Sequence, residues 1–333
     1  MKNTKPNAIL PTVAIVTTGG TIAEKKLIIG GGSVPEISGE ELIMMVPKLK
    51  DIAKIKVFDF FNVDSSQISP EMWLNLSKKI NSLVADPNIA GVVVTHGTDT
   101  IAEGAYFLDL TTRSHKPIVF TGSMRYESDL SFDGEINLYN AVLEASSPNA
   151  RDLGVTVTFN NYINSARSVK KAHSHNVQTF VSGDRGYVGY IAGDKIIKFQ
   201  CLGPKPYFPL PKLLPRVMLL KTFAGDDGCL VKAAIAAEAQ GIVIEGFGEG
   251  NVPAAVFDVI KQARKKNIVV VVATQVENGF TLPDYGVKGG GVSLVRNGVI
   301  IAGDLPGPKA RILLMLALSQ GKDMEKIKEY FAY

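Results

Sequence analysis

Two short stretches carry hydroxyl groups where a turn alone has no need of them. In TTGGTIA, residues 17–23, an apolar run ends in Gly19 and Gly20, and Thr21 follows at once. In THGTDT, residues 95–100, a second apolar run ends, Gly97 follows, and then come Thr98 and Asp99. Glycine lets the backbone turn tightly or approach a ligand closely. A threonine hydroxyl is a weak nucleophile that works only beside an activating partner. Either stretch by itself reads as an ordinary turn and helix cap. As a pair they supply two hydroxyls and a carboxylate, the groups needed to hold and attack a small polar molecule. Neither follows the G-x-G-x-x-G pattern or the phosphate-binding Gly-Lys-Thr pattern.

The surrounding elements say where these residues must sit. Strand-like runs at 12–18, 55–61, 89–95 and 153–159, and KPIVFTGS between the last two, alternate with helix-length segments. Ser38 with Glu41 three residues on has the spacing of a capping box, and Ser69 before Pro70 marks another helix start. Uninterrupted Val/Ile strands between helices predict a doubly wound, mostly parallel α/β sheet. Such sheets bind ligands at the carboxyl ends of their strands, where the strand order switches. Both stretches fall at such ends, with Thr98 at the start of a helix whose free N–H groups favour negative charge. Five prolines between Pro204 and Pro215 then read as an extended linker. The expected organisation is a larger domain over 1–198, a linker over 199–213, and a smaller α/β domain over 214–333.

The 333 residues are 46% hydrophobic, enough for a sizeable core, and carry a net charge of +4. So slight an excess, spread along the chain, excludes the basic signature of a nucleic-acid binder. No run approaches the roughly 18 apolar residues of a membrane span, and the first residues do not read as a signal peptide. Cys201 and Cys229 make no CxxC pair and no zinc spacing. These features suit a cytoplasmic protein without membrane or nucleic-acid partners. His173 and His175 are two apart, but no third metal ligand accompanies them, so no metal site is expected.

TTGGTIA and THGTDT together resemble the two signature segments of the bacterial-type L-asparaginases and glutaminase-asparaginases. The resemblance continues through DSSQISPEMW (64–73), KPIVFTGSMR (116–125), DGEINLYNAV (133–142), GEGN (248–251) and KARILLMLAL (309–318), and so covers essentially the whole chain. It implies hydrolysis of the side-chain amide of L-asparagine, with some action on glutamine, and no cofactor. Thr21 would be the nucleophile. Thr98, Lys171 and Asp99 would form a hydroxyl–ammonium–carboxylate group, with Asp99 also holding the substrate's α-ammonium. Ser65 and Ser66 would hold its α-carboxylate, while Gly20, Gly97 and Ser123 would line the site. Asn251 would reach into a neighbouring subunit's site, since the family builds its sites between paired subunits and assembles as a dimer of dimers. The disulfide of many exported members is absent, with Val84 and Ser114 near the places of its cysteines.

Two departures from the family stand out. Its usual lid tyrosine has no counterpart in EKKLIIGGGSVPEIS (24–38), where Gly30, Gly31 and Gly32 would let the loop close. The glutamate that some members lend from the partner subunit is not evident in LPDYGVKGGGVSLV, although Asp284 and Tyr285 lie there. Two other functions fit the same scaffold. One is the amidase-like subunit of a tRNA-dependent amidotransferase, against which the early first motif counts. The other is a non-catalytic amino-acid sensor, which the missing tyrosine favours.

Overall fold

The computed structural model describes residues 10–26, 33–35 and 37–332. The chain divides into two compact units, the first ending at Gly203 and the second beginning at Pro204. The break falls at Pro204, the first proline of the proline-rich segment.

The first unit is built on eight strands: β1 (Thr12–Gly19), β2 (Lys54–Val63), β3 (Ile89–Thr95), β4 (Ile118–Thr121), β5 (Val155–Phe159), β6 (Tyr162–Ser165), β7 (Gly189–Ala192) and β8 (Lys195–Lys198). They form one sheet in the order β8-β7-β6-β5-β4-β3-β1-β2. From β2 to β5 all neighbours are parallel, with Ile15 opposite both Val57 and Val93, and Val93 opposite Val119. Val13–Val16, Val92–Val94 and Ile118–Phe120 are buried, as continuous apolar strands covered on both faces must be. Helices α1 (Gly39–Met44), α2 (Pro70–Ala85), α3 (Ile101–Thr111) and α4 (Gly134–Ser146) supply the cover. Leu42 of α1 and Leu138, Ala141 and Val142 of α4 pack with Ile15, Val93 and Val119. On the opposite face α2 and α3 lie against each other and against β3, β4 and β5. From β1 the chain goes out to β2, then crosses back to β3 on the other side of β1. The order therefore switches between β1 and β3, which is where such sheets bind ligands.

The expected fold class holds, with local differences that have physical causes. The helix after Ser38 stops at Met44 and continues only as a 3-10 turn, Pro47–Asp51, because Pro47 has no N–H to extend it. The capping box of Ser38 and Glu41 and the cap of Ser69 both form. Strand β5 starts after Gly154, whose φ of 67° breaks the extended run. Helix α3 runs from Ile101 with Thr100 as its N-cap, as the segment TIAEGAYFLDLTT suggests, and Thr98 and Asp99 belong to the turn before it. Strands β6, β7 and β8, antiparallel to their neighbours, were not legible in the sequence.

The second unit has four parallel strands, β9 (Val217–Lys221), β10 (Gly241–Gly246), β11 (Val269–Thr274) and β12 (Ile300–Ile301), in that order. Around them stand α5 (Cys229–Ala236), α6 (Ala254–Lys265), α7 (Gly291–Arg296), α8 (Gly307–Ser319) and α9 (Met324–Phe331). Within this unit the Tyr330 ring packs on Phe208 at 4.7 Å, and Phe331 is buried. Tyr333 lies outside the described residues. Among the described residues no helix is long and apolar enough to cross a membrane.

Glu144 of α4 is fully buried, and its carboxyl oxygens accept from Thr156 Oγ1 at 2.7 Å and Thr158 Oγ1 at 2.5 Å. Burial pushes its pKa up to about 7, against the lowering effect of the two threonines. The folded protein thus holds a proton that the unfolded chain gives up near pH 4.5. The stability this provides is complete below about pH 4.5 and is lost as pH rises through about 7. Glu144→Gln is expected to gain about 3 kcal/mol on the wild type between pH 4.5 and 8. Urea denaturation of both proteins at the two pH values measures this difference, and a constant difference would refute it.

Candidate active site

Three loops meet at the strand-order switch through their backbones. A Cβ on Gly20 would lie 2.2 Å from the Gly97 Cα, and one on Gly97 would lie 2.6 Å from Ser65 Oγ. Gly20 also has φ 83° and ψ 176°, a conformation essentially closed to other residues. Glycine is therefore required for the loop after β1 to touch the loop after β3. Thr21 and Thr98 each stand one residue beyond one of these two glycines. Thr21 opens a 3-10 turn, Thr21–Ala23, and is half-buried.

The loop after β2 locks the other two. Asp64 accepts from the Ser66 N–H at 2.8 Å and starts the 3-10 turn Ser65–Gln67. Ser65 is buried. Its Oγ accepts from the Asp99 N–H at 3.2 Å, and its carbonyl accepts from Thr100 Oγ1 at 2.8 Å. Ser66 is exposed, and its Oγ accepts from Gln67 Nε2 at 3.0 Å. Both serine hydroxyls thus act as acceptors here and keep their own protons to donate to an anion.

Lys171 reaches the same place from outside the main sheet. Lys170–Lys171 pair antiparallel with Phe180–Val181 in a small ribbon. Lys171 Nζ donates to Thr98 Oγ1 at 2.9 Å and to Asp99 Oδ1 at 2.7 Å. Since the ammonium fills an acceptor site on the Thr98 oxygen, the Thr98 proton must point elsewhere. The Lys171 side chain is 22% exposed and that of Asp99 59%, so the pair opens towards solvent on the Asp99 side.

Ser123 stands just past β4, the strand next to β3. A Cβ on Gly122 would lie 2.4 Å from the His96 carbonyl oxygen, so this turn also presses on the β3 loop. Ser123 is buried and its Oγ donates to the Arg125 carbonyl at 2.7 Å, which commits the hydroxyl to the turn. Asp133 fixes that turn by accepting from the Met124 and Arg125 N–H groups. Asp59 of β2 accepts from Thr17 Oγ1 at 2.8 Å and from the Gly39 N–H at 3.0 Å, tying α1 to β1. Neither aspartate drew attention in the sequence. Asp59 sits among strand aromatics and Asp133 reads as a plain helix cap.

His96 is fully buried, with Nδ1 2.7 Å from the Gly97 carbonyl oxygen. Burial pushes its pKa down to about 4, so the ring is neutral at pH 7. His173 Nδ1 accepts from the backbone N–H groups of His175 and Asn176 and shapes a turn. No metal-binding cluster of three or more His, Cys, Asp or Glu occurs among the described residues. Between β1 and α1, Glu24–Lys26 pair with Ser33–Pro35, and the Ile37 N–H donates to the Ala23 carbonyl. Gly30, Gly31 and Gly32 lie outside the described residues. Asn251 belongs to the second unit, where its backbone bridges to Phe247 and its side-chain Oδ1 is buried without a hydrogen-bond partner among the described residues.

Comparison with known proteins gives a consistent result. The family model "Asparaginase, N-terminal" matches residues 12–201, and "Glutaminase/Asparaginase C-terminal domain" matches residues 216–331. An L-asparaginase of Bacillus licheniformis is 38% identical, over 96% of this chain and 99% of its own. L-asparaginase 2 of Escherichia coli (strain K12) is 38% identical, over 97% and 93%. The crystal structure of a probable cytoplasmic L-asparaginase from Campylobacter jejuni is 41% identical and superposes with a TM-score of 0.88, covering 97% of this chain and 99% of that one.

Proposed function

Since the chain belongs to the asparaginase and glutaminase-asparaginase family, we propose that it is an amidohydrolase converting L-asparagine to L-aspartate and ammonia. One observation carries the assignment of residues: Lys171 Nζ bonded to both Thr98 and Asp99, beside the backbone contact of Gly20 with Gly97. Asp99 offers a carboxylate to the substrate's α-ammonium. Ser65 and Ser66 offer hydroxyl protons to its α-carboxylate. Thr21 attacks the side-chain amide carbon. That carbonyl oxygen gains charge, and backbone N–H groups of the Thr98 turn are suited to meet it. Ser123 contributes through its backbone, in a turn that the Met124 and Arg125 N–H groups hold in place by donating to Asp133.

Hydrolysis must move one proton from the attacking hydroxyl to the departing nitrogen. Thr98 is placed to give its proton to that nitrogen and to regain one from Lys171. The proton that Thr21 loses on attack returns to Lys171, so that the group ends as it began, with Asp99 holding the ammonium in register. The acyl group left on Thr21 is then released by water. We place the working site between paired subunits, with Asn251 of one subunit completing the site of another. The unpartnered Oδ1 of Asn251 supports this. A dimer of dimers, measurable by light scattering, is the assembly that goes with it. The cytoplasmic description of the Campylobacter jejuni relative supports the same location here.

The test is ammonia release from L-asparagine, L-glutamine and D-asparagine in steady state. L-asparagine is expected to have the highest kcat/KM. L-aspartate binding with no ammonia release over hours would sink the proposal. Lys171→Met keeps most of the side chain's bulk and removes the ammonium. It is expected to lower kcat on the order of 10²–10⁴-fold, and a loss under tenfold would remove Lys171 from the proton path.

A further inference from the structure

Behind the Thr98 turn, two buried polar atoms face the same small space. Trp73, on α2, is 3% exposed, and its Nε1–H has no acceptor among the described residues. His96 Nε2 is likewise buried without a partner. Because Nδ1 lies 2.7 Å from the Gly97 carbonyl oxygen, Nδ1 carries the ring proton and Nε2 presents a lone pair. One atom is therefore a donor and the other an acceptor, and no direct bond joins them. Both converge on Gly104 in the first turn of α3. A Cβ there would lie 3.2 Å from Trp73 Nε1 and 3.4 Å from His96 Nε2. The nearby rings are apolar: Phe107 is 5.8 Å from the Trp73 ring, Phe120 is 5.8 Å from the His96 ring, and both are fully buried.

Glycine inside a helix is a poorer choice than alanine, so Gly104 calls for a reason. We propose that Trp73, His96 and the bare Cα of Gly104 form a built site for one internal water molecule. The water accepts from Trp73 Nε1–H and donates to His96 Nε2. Water meets both demands at once. An ammonium ion, the other small donor at hand in this reaction, cannot accept from the indole. Buried waters bridge otherwise unsatisfied groups of this kind. The neutral His96 ring keeps its Nε2 lone pair at any pH well above about 4, so the bridge persists across the neutral range.

The bridge has a consequence for the site in front of it. Trp73, the water, His96 and the Gly97 carbonyl form one chain of contacts that ends at the residue before Thr98. Trp73 and His96 are therefore positioning residues. This consequence rests on the asparaginase reading, whereas the water site does not.

A crystal structure of the full chain, at a resolution that shows ordered water, tests the site. It should show a density peak about 2.7–3.2 Å from both nitrogens. Nitrogen-15 NMR should find His96 protonated at Nδ1. A direct Trp73–His96 bond, no density between the two nitrogens, or a proton on Nε2 would overturn the site. Trp73→Phe tests the positioning role by removing the donor and keeping most of the apolar bulk. Its kcat on L-asparagine should fall on the order of tenfold, with KM within about twofold. An unchanged kcat, or a loss confined to KM, would overturn positioning. If the wild type released no ammonia, the asparaginase reading would fail, and the density and NMR tests would still decide the water.

Discussion

Thr21→Ala is expected to abolish ammonia release from L-asparagine, a loss on the order of 10⁴-fold or more in kcat. Thr21 puts a hydroxyl one residue past the Gly20–Gly97 contact on the β1 side. Removing it leaves the Thr98–Lys171–Asp99 group and the two serines untouched, so binding should survive the loss of chemistry. Isothermal titration with L-aspartate should give a dissociation constant within a few-fold of the wild type. Circular dichroism should be unchanged, because a half-exposed turn residue that shrinks by a hydroxyl and a methyl opens no core cavity. Thr21→Ser, which keeps a hydroxyl at the same atom and makes it primary, should retain measurable turnover. Activity within tenfold of the wild type in Thr21→Ala would transfer the nucleophile's role to another group.

Gly20→Ala should fail in a different way, losing both activity and stability. Its new methyl would stand 2.2 Å from the Gly97 Cα and 2.3 Å from the Gly97 nitrogen, which no rotamer can relieve because both partners are backbone. The φ of 83° adds a second cost of about 1–3 kcal/mol for a residue with a Cβ. The two loops must part, and Thr21 must move away from Thr98. A loss of stability above about 3 kcal/mol in urea denaturation, together with turnover below detection, is the expected outcome. Gly193→Ala is the control. It also has positive φ, 62°, but a Cβ there would meet nothing within 4 Å, so it should lose little more than the conformational cost and keep full turnover. Equal effects of the two substitutions would mean that the Gly20–Gly97 contact is unimportant.

The parallel half of the first unit could be read from residue types alone. Val/Ile runs buried on both faces have no competing explanation, and the capping signals at Ser38 and Ser69 are local chemistry that tertiary structure had no cause to override. Strands β6 to β8 hid because each has only four residues: YINS, GYIA and KIIK carry no alternation long enough to register. The start of α3 was legible, since TIAEGAYFLDLTT opens on Thr100 and Thr100 is the N-cap. Ser65, 34 residues away from Asp99, holds Asp99 in the turn before the helix. The switch between β1 and β3 followed from the fold class. Lys171 did not. Nothing in SVKKAHS distinguishes one lysine from its neighbour, and only the family resemblance singled it out. Glu144 also escaped notice, since a glutamate near the end of a helix ordinarily faces water.

The Lys171 ammonium is bonded to a hydroxyl 73 positions earlier in the chain, and the Gly20–Gly97 contact skips over the whole of β2. Segments this distant close late, since loop entropy must be met before their contacts return anything. A chain emerging from a ribosome could therefore complete much of its parallel sheet and still be inert. On the proposed mechanism the reaction begins only once the ribbon bearing Lys171 has docked, which makes turnover a late reporter of folding and keeps incomplete chains chemically silent.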